Sequence, residues 1–226
     1  MDIVEAIQRR RSIRAFKPDP VPRQVLEEVL SLAVRSPSWA NTQPWEFAVV
    51  CGAELDRIRE ALLAHANDKP EPDLPGPGSF PEPYNRRRRD LMTRMAELMG
   101  REQQNAERLR NWQTHGLALY GAPAAIFIYT DRSFCFQDSG LNVWPVFDCG
   151  LVAQNIILLA TNHGLGTIAQ MQAAHRPAMV KEVLGIPESK LIVLGIAIGY
   201  PDWEDAVNAL ESERDGLDVV AKWYGF

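Results

Sequence analysis

The chain has 226 residues, 46% of them hydrophobic and 23% charged, long enough to bury one large core and ordinary for a globular protein. Its formal charge of −5, from 24 basic against 29 acidic residues, argues against bulk attraction to nucleic acid or to an anionic membrane. Cys51, Cys135 and Cys149 are widely spaced, the N-terminus lacks an apolar leader, and no apolar run approaches the roughly 18 residues of a membrane span; together these predict a cytoplasmic protein with reduced thiols.

Asp2 and Glu5 read as a capping box opening a short helix with Ile3 and Ile7 on one face. That helix runs into Arg10-Arg11-Ser12-Ile13-Arg14, three guanidiniums and a hydroxyl. In an extended chain Arg10, Ser12 and Arg14 project to one side, and arginine offers an oxyanion a planar, permanently charged fork. Taken alone, the cluster reads equally well as a solvated basic turn.

A helix begins after Pro22 and runs to Arg35, burying Val25, Leu26, Val29, Leu30 and Ala33. The loop Pro37-Ser38-Trp39-Ala40-Asn41-Thr42-Gln43-Pro44-Trp45 then leads into a strand over Trp45 to Val50. By itself it is a helix-terminal loop capped by serine and asparagine. Leu55, Ile58 and Leu62 mark the next helix. Six prolines between Lys69 and Tyr84 exclude regular structure and predict a surface excursion, followed by a polar helix from about Arg86 to Trp112. Arg86 to Arg89 opens that helix and is expected to pair with nearby glutamates or face water.

Ala124 to Tyr129 reads as an apolar strand, and Val146 to Asn162 as a long helix with Val152, Ile156 and Leu159 on one face, closed at Gly164. Strands at Thr167 to Met171 and Leu191 to Tyr200 flank a helix from Pro177 to Leu184, a spacing that favours parallel pairing. The letters Gly164-Leu165-Gly166-Thr167-Ile168-Ala169 match a dinucleotide fingerprint, but a helix precedes them and a strand follows. That order is the reverse of what pyrophosphate binding at a helix N-terminus requires. Trp223, Tyr224 and Phe226 form an apolar tail too short to make its own core. His65, His115, His163 and His175 show no metal-ligand spacing, so no metal is expected.

Read together, these motifs resemble the nitroreductase family of FMN-dependent flavoenzymes. The matching segments are R-x-S-x-[RK] at Arg10 to Arg14, P-S-x-x-N-x-Q-P-W at Pro37 to Trp45, and G-L-x-T-x-x-Q at Gly164 to Gln170. Asn208 to Arg214 is similar to the family's N-x-x-R-x-x-R segment. The resemblance covers about Ile3 to Trp223 and implies an α+β fold, one domain over residues 1–226 with a central sheet flanked by helices, in an intertwined homodimer with two FMN sites at its interface.

By the same resemblance, Arg10 and Ser12 would hold the FMN phosphate, Arg11 would add backbone or ribityl contacts, and Arg14 would sit at the pyrimidine edge. Arg214 would be a second phosphate anchor. Pro37, Ser38, Trp39 and Asn41 would cover the flavin from the opposite subunit, and Ala169, Gln170 and Met171 would pass its N5 edge. The family's further contact to the uracil edge falls near His115. Trp39 fills a position usually small, and Glu211 stands where a cation is often found. The implied chemistry is ping-pong: NAD(P)H reduces the flavin, and a nitroaromatic, quinone or similar small aromatic acceptor then takes the same slot. Reductive dehalogenation occurs on the same scaffold, and a non-catalytic flavin-storage protein is the competing class. The excursion and helix at 69–112 are expected to flank the pocket and shape acceptor size.

Overall fold

A computed structural model describes the backbone of residues 1–98 and 106–226, and the side chains of residues 1–98 and 112–226. α1 (Ile3–Arg9) opens at Asp2, whose carboxylate accepts from the Glu5 N–H at 2.8 Å. α2 (Arg23–Ala33) buries Leu26, Val29 and Ala33. β1 (Glu46–Cys51) leads into α3 (Gly52–Ala64), which buries Leu55, Ile58 and Leu62, and residues 69–80 then run without helix or strand. The span expected as one polar helix holds α4 (Tyr84–Leu98) and α5 (Ala106–Leu117); the junction between them lies outside the described residues.

β2 (Ala124–Asp131), α6 (Arg132–Cys135) and the small hairpin of β3 (Phe136–Gln137) and β4 (Gly140–Leu141) precede α7 (Trp144–Asn162). β5 (Gly166–Gln170), α8 (Met171–Ala174), α9 (Pro177–Leu184) and β6 (Lys190–Gly199) follow, and α10 (Leu217–Val220) lies near the C-terminus. Met171 therefore opens a helix rather than ending a strand.

The main sheet has the order β1-β2-β6-β5, and its three pairings are all antiparallel. This corrects the expected parallel pairing of β5 and β6. Two short helices, α8 and α9, leave and return at the same end of the sheet, whereas a parallel pair needs a crossover that runs back along the strands. Side chains alternate across the sheet. Ile126, Ile128, Ile196 and Ile198 face α2 and α7, joining Val29, Val152 and Ile156 in one core. Ala125, Phe127 and Ala197 face the other way, onto Leu55, Ile58, Leu62 and Val180.

α7 also corrects the expectation about apolar runs: by length and composition it could cross a membrane. Here it is the core helix, with Val152, Ile156 and Ala160 buried and the buried carboxylate of Asp148 bonded to the Trp39 N–H.

β5 is an edge strand, and the N-terminal segment covers the start of its outer side. Ser12 bridges Thr167 in parallel, and the Ile13 N–H donates to the Thr167 carbonyl at 3.0 Å. A Cβ at Gly166 would lie 2.5 Å from Ile13 Cγ1, so only glycine admits this crossing. Lys17 N–H continues the seam to the Tyr200 carbonyl at 2.9 Å.

The proline-rich excursion is pinned at Asp73, whose side chain is only 7% exposed. One carboxylate oxygen accepts from Lys181 Nζ at 2.9 Å and Arg132 at 3.0 Å, and the other from the Ile192 N–H at 2.9 Å. Lys181 is itself buried, so removing Asp73 strands a cation whose remaining partner, Glu188, is mostly exposed. Breaking a buried pair in this way costs about 3–5 kcal/mol. Asp73→Ala should therefore lower the melting temperature by roughly 6–20 °C, at about 2–4 °C per kcal/mol for a chain of this size. A shift under about 2 °C in thermal melts would show that the excursion is not anchored there.

Candidate functional site

Three chain segments converge beside the outer edge of β5. Ile13 is buried while Arg10, Ser12 and Arg14 are half-buried, so the alternation sends the polar side chains outward around one apolar anchor. Asn208, fully buried in the turn Ala206–Ala209, fixes this segment to the C-terminal region. Its Oδ1 accepts from the Arg14 N–H at 2.7 Å, and its Nδ2 donates to the Ala15 and Asp202 carbonyls at 2.8 and 2.7 Å.

The chain beyond that turn carries Arg214 close enough to Arg10 for its charge to matter. Burial lowers the Arg10 pKa from its ordinary value, and repulsion from Arg214 lowers it further. Arg214 bonds to the Ser212 carbonyl and hydroxyl at 3.0 and 2.8 Å. Among the described residues neither Arg10 nor Arg214 forms an ion pair with a carboxylate. Arg11 behaves differently: its guanidinium pairs with Glu211 and lies 5.6 Å from the centre of the Trp203 ring. Glu211 thus neutralises Arg11, and the Arg10–Arg214 pair keeps its charge.

Arg14 occupies a second, more enclosed position. Burial lowers its pKa, and the Tyr120 hydroxyl, within hydrogen-bonding reach, opposes that shift. Tyr120 is pushed up by burial, against the pull of Arg14 and of the nearby Gln172 amide. Leu119 and Tyr120 both hold φ of +55°, a conformation costly for residues with a Cβ, and it is this strained turn that carries Tyr120. His115 meets the Tyr120 ring edge-on at 5.2 Å, and its Nε2 lies 3.2 Å from the Arg14 carbonyl. Sequence reasoning placed His115 near the site but missed Tyr120 and Gln172. No motif marks a residue whose role depends on a left-handed backbone.

Ala169 is the exposed residue of β5, on an edge that no strand covers beyond the Ser12 bridge. The Gln170 side chain turns into the core, where its Oε1 and Nε2 have no partner among the described residues. Met171 is 46% exposed at the start of α8. The residues expected to pass a ring edge therefore present backbone, one methyl and one exposed thioether.

The loop at Pro37 to Pro44 stands apart from this group. Ala40, Asn41 and Gln43 hold φ of +49°, +58° and +47°. The Ser38 hydroxyl accepts from the Gln43 N–H at 2.9 Å, and the Asp148 carboxylate accepts from the Trp39 N–H at 3.0 Å. Trp39 is 57% exposed and lies 6.2 Å from the Trp144 ring, which in turn meets Phe147 at 5.8 Å. Asp148 is near the N-terminal end of α7. Arg10 and Ile13 share a cleft with Thr161 and Gly164, at its C-terminal end. At 1.5 Å per residue, Asp148 and Thr161 are about 20 Å apart along the helix. The structure therefore brings Arg10, Ser12, Arg14 and Arg214 together beside β5, and holds Pro37, Ser38, Trp39 and Asn41 at the far end of α7.

This donor set suits a flat ring that carries a phosphomonoester. An unneutralised arginine pair matches a dianion, a half-buried guanidinium matches an edge that gains negative charge, and an open strand edge matches ring heteroatoms.

Comparison with known proteins agrees with the geometry. Residues 7–200 match the model of the nitroreductase family. The chain is 33% identical to nitroreductase NfnB of Mycolicibacterium smegmatis, over 99% of this chain and 94% of that protein. It is 32% identical to a 4-nitrobenzoate reductase of Pseudomonas putida, over 100% of this chain and 96% of that protein. Among solved structures, FMN-dependent NfnB from Mycobacterium smegmatis in complex with NADPH superimposes with a TM-score of 0.89 at 32% identity, over 99% of this chain and 100% of that one.

The Asp148 bond predicts how the loop will fail. Asp148→Ala leaves the Trp39 N–H unpaired and removes, among the described residues, the one hydrogen bond from a side chain outside the loop to this strained turn. Hydrogen exchange at residues 38–43 should quicken by roughly 5- to 150-fold, the equivalent of about 1–3 kcal/mol. Unchanged exchange there would show that the loop holds its own shape.

Proposed function

The chain belongs to the nitroreductase family, and we propose that it is an FMN-dependent oxidoreductase that uses NAD(P)H to reduce nitroaromatic or related small aromatic acceptors. The observation that carries this reading is the Arg10–Arg214 pair, two guanidiniums close enough to repel, with no carboxylate partner among the described residues, beside an open strand edge. When bound, the flavin supplies two-electron transfer between a reduced nicotinamide and an acceptor. Arg10, Arg214 and the Ser12 hydroxyl hold its phosphate. Arg14, steadied by Tyr120, places a cation at the ring edge that becomes negative on reduction. The backbone at Ala169 to Met171 orients the ring from the edge of β5.

The second half of the site comes from a second copy of the chain. About 20 Å of α7 separates the Pro37–Asn41 loop from Arg10, so a flavin held at one end cannot be covered by the same chain's loop. An isologous homodimer brings each loop to the other chain's arginines and covers exposed apolar groups such as Trp39, Trp144, Phe147 and the tail residues Trp223, Tyr224 and Phe226.

Heat release and mass spectrometry should find FMN in the purified protein, and the same sample should scatter light as twice the 25.4 kDa chain. Arg10→Ala should weaken FMN roughly 10- to 100-fold, from the loss of about 1.5–3 kcal/mol of charged hydrogen bonding. Tyr120→Phe, which keeps the ring and loses only the hydroxyl, should weaken it roughly 3- to 10-fold. Finding FAD, no flavin, or a flavin-loaded monomer would count against the assignment.

Dinucleotide and acceptor use one slot in turn, a reading supported by the order helix–glycine–strand at Asn162 to Gln170, which leaves no pyrophosphate-binding helix N-terminus. Initial rates against NAD(P)H at several fixed concentrations of a nitroaromatic acceptor should give parallel double-reciprocal lines. Intersecting lines would require both substrates to be bound together, and absence of turnover would favour flavin storage.

A further inference from the structure

We propose that the cleft between α4 and the segment Ser212 to Asp215 is a second anion site, which takes the 2′-phosphate of a phosphorylated dinucleotide and makes NADPH the preferred reductant, an inference that rests on the reductase reading above. The cleft measures about 870 Å³, within the usual range of ligand pockets. Among the described residues, Arg86, Arg87, Arg88, Arg94 and Arg214 line it against Asp90, Glu213 and Asp215, an excess of cations in a chain of net charge −5.

The lining charges divide into two sets. Arg87 Nε donates to Asp215 at 2.9 Å, and Arg94 pairs with Glu213 and reaches the Glu211 carbonyl at 3.4 Å. These pairs fasten α4 to the C-terminal segment and cancel two of the three acids. The Arg86 backbone N–H donates to the Glu82 carboxylate at 3.2 Å, but the guanidiniums of Arg86 and Arg88 have no carboxylate partner among the described residues, and that of Arg88 is held 5.4 Å over the centre of the Phe80 ring. Two such guanidiniums match a phosphomonoester, which carries between one and two negative charges near neutral pH.

Position ties the cleft to the flavin site. Arg214 lines the cleft, and its charge also reaches Arg10. The cleft therefore adjoins the phosphate end of the flavin site, where the remote half of a dinucleotide engaged at the ring can extend. An unphosphorylated ribose has no charge to offer these arginines, so the cleft separates the two dinucleotides by electrostatics.

The test uses FMN-loaded wild type and the Arg86→Ala/Arg88→Ala double variant, with Arg86→Gln/Arg88→Gln as a second version should the first fold poorly. KM for NADPH and NADH is measured with one nitroaromatic acceptor, FMN content is measured in each protein, and each holoenzyme is titrated calorimetrically with 2′,5′-ADP and with 5′-AMP. Wild type should bind 2′,5′-ADP at least about 10-fold more tightly than 5′-AMP, and the variants should lose that difference. Their KM for NADPH should rise roughly 10- to 100-fold, while KM for NADH stays within about 2-fold and FMN content is unchanged. Equal affinity of wild type for the two adenylates, or an equal rise in both KM values, would overturn the proposal. Loss of FMN in the variants would also overturn it, by assigning these arginines to the flavin phosphate. If wild-type holoenzyme oxidises neither dinucleotide, the reductase reading fails, and the calorimetric comparison still decides whether the cleft recognises a 2′-phosphate.

Discussion

The buried amide of Asn208 is the interaction on which the site most depends. One side chain accepts from the Arg14 N–H and donates to the carbonyls of Ala15 and Asp202, joining segments almost two hundred residues apart in the chain. A buried amide left without partners costs about 1–3 kcal/mol per group, so each of the three bonds is costly to lose. Because Asn208 precedes Arg214 by only six residues, closing this clasp also delivers the second guanidinium to Arg10. The charge cluster is a consequence of a neutral hydrogen-bond network, which explains how two repelling cations are kept together.

α7 is the second constraint. It is the longest helix among the described residues, packed through Val152 and Ile156 against the sheet, and rigid elements of this kind set distances. With the basic cluster at one end and the Asp148-anchored loop at the other, its length keeps the two groups about 20 Å apart within one chain. The strain in each half has the same logic. Left-handed φ values at Ala40, Asn41 and Gln43, and again at Leu119 and Tyr120, cost free energy and persist only where surrounding contacts fix them. They occur in the Pro37–Pro44 loop and beside Arg14, while the regular elements of the core avoid them.

How much was legible beforehand follows from what each feature depends on. The α9 helix starts at Pro177 and stops before Gly185 as read, because proline and glycine act locally. The burial of Leu55, Ile58 and Leu62 was likewise visible in their spacing. Strand direction was not, since whether β6 runs with or against β5 depends on where α8 and α9 return the chain. Nor was Asp73 legible: a carboxylate in a proline-rich run reads as surface, and only the fold brings Lys181, Arg132 and the Ile192 N–H to it. Arg10, Ser12 and Arg14 stood out as a motif, whereas the Tyr120 hydroxyl that steadies Arg14 depends on a backbone conformation that side-chain identity does not announce.

Glu211 shows how a departure from a family pattern can preserve the physics behind it. An acid where a cation is expected would repel a phosphate if its charge were free. Arg11, the second of the paired arginines, lies against it, and the two cancel while the guanidinium packs near Trp203. What remains is Arg10 and Arg214, which no acid among the described residues pairs with. Counting charges along the sequence places an acid in the site and understates its positive potential. Counting them after pairing restores it, because a salt bridge removes both partners from the field felt a few ångströms away. The same pairing rule applies along α4, where Asp215 and Glu213 neutralise Arg87 and Arg94 and leave Arg86, Arg88 and Arg214 against Asp90 among the described lining residues.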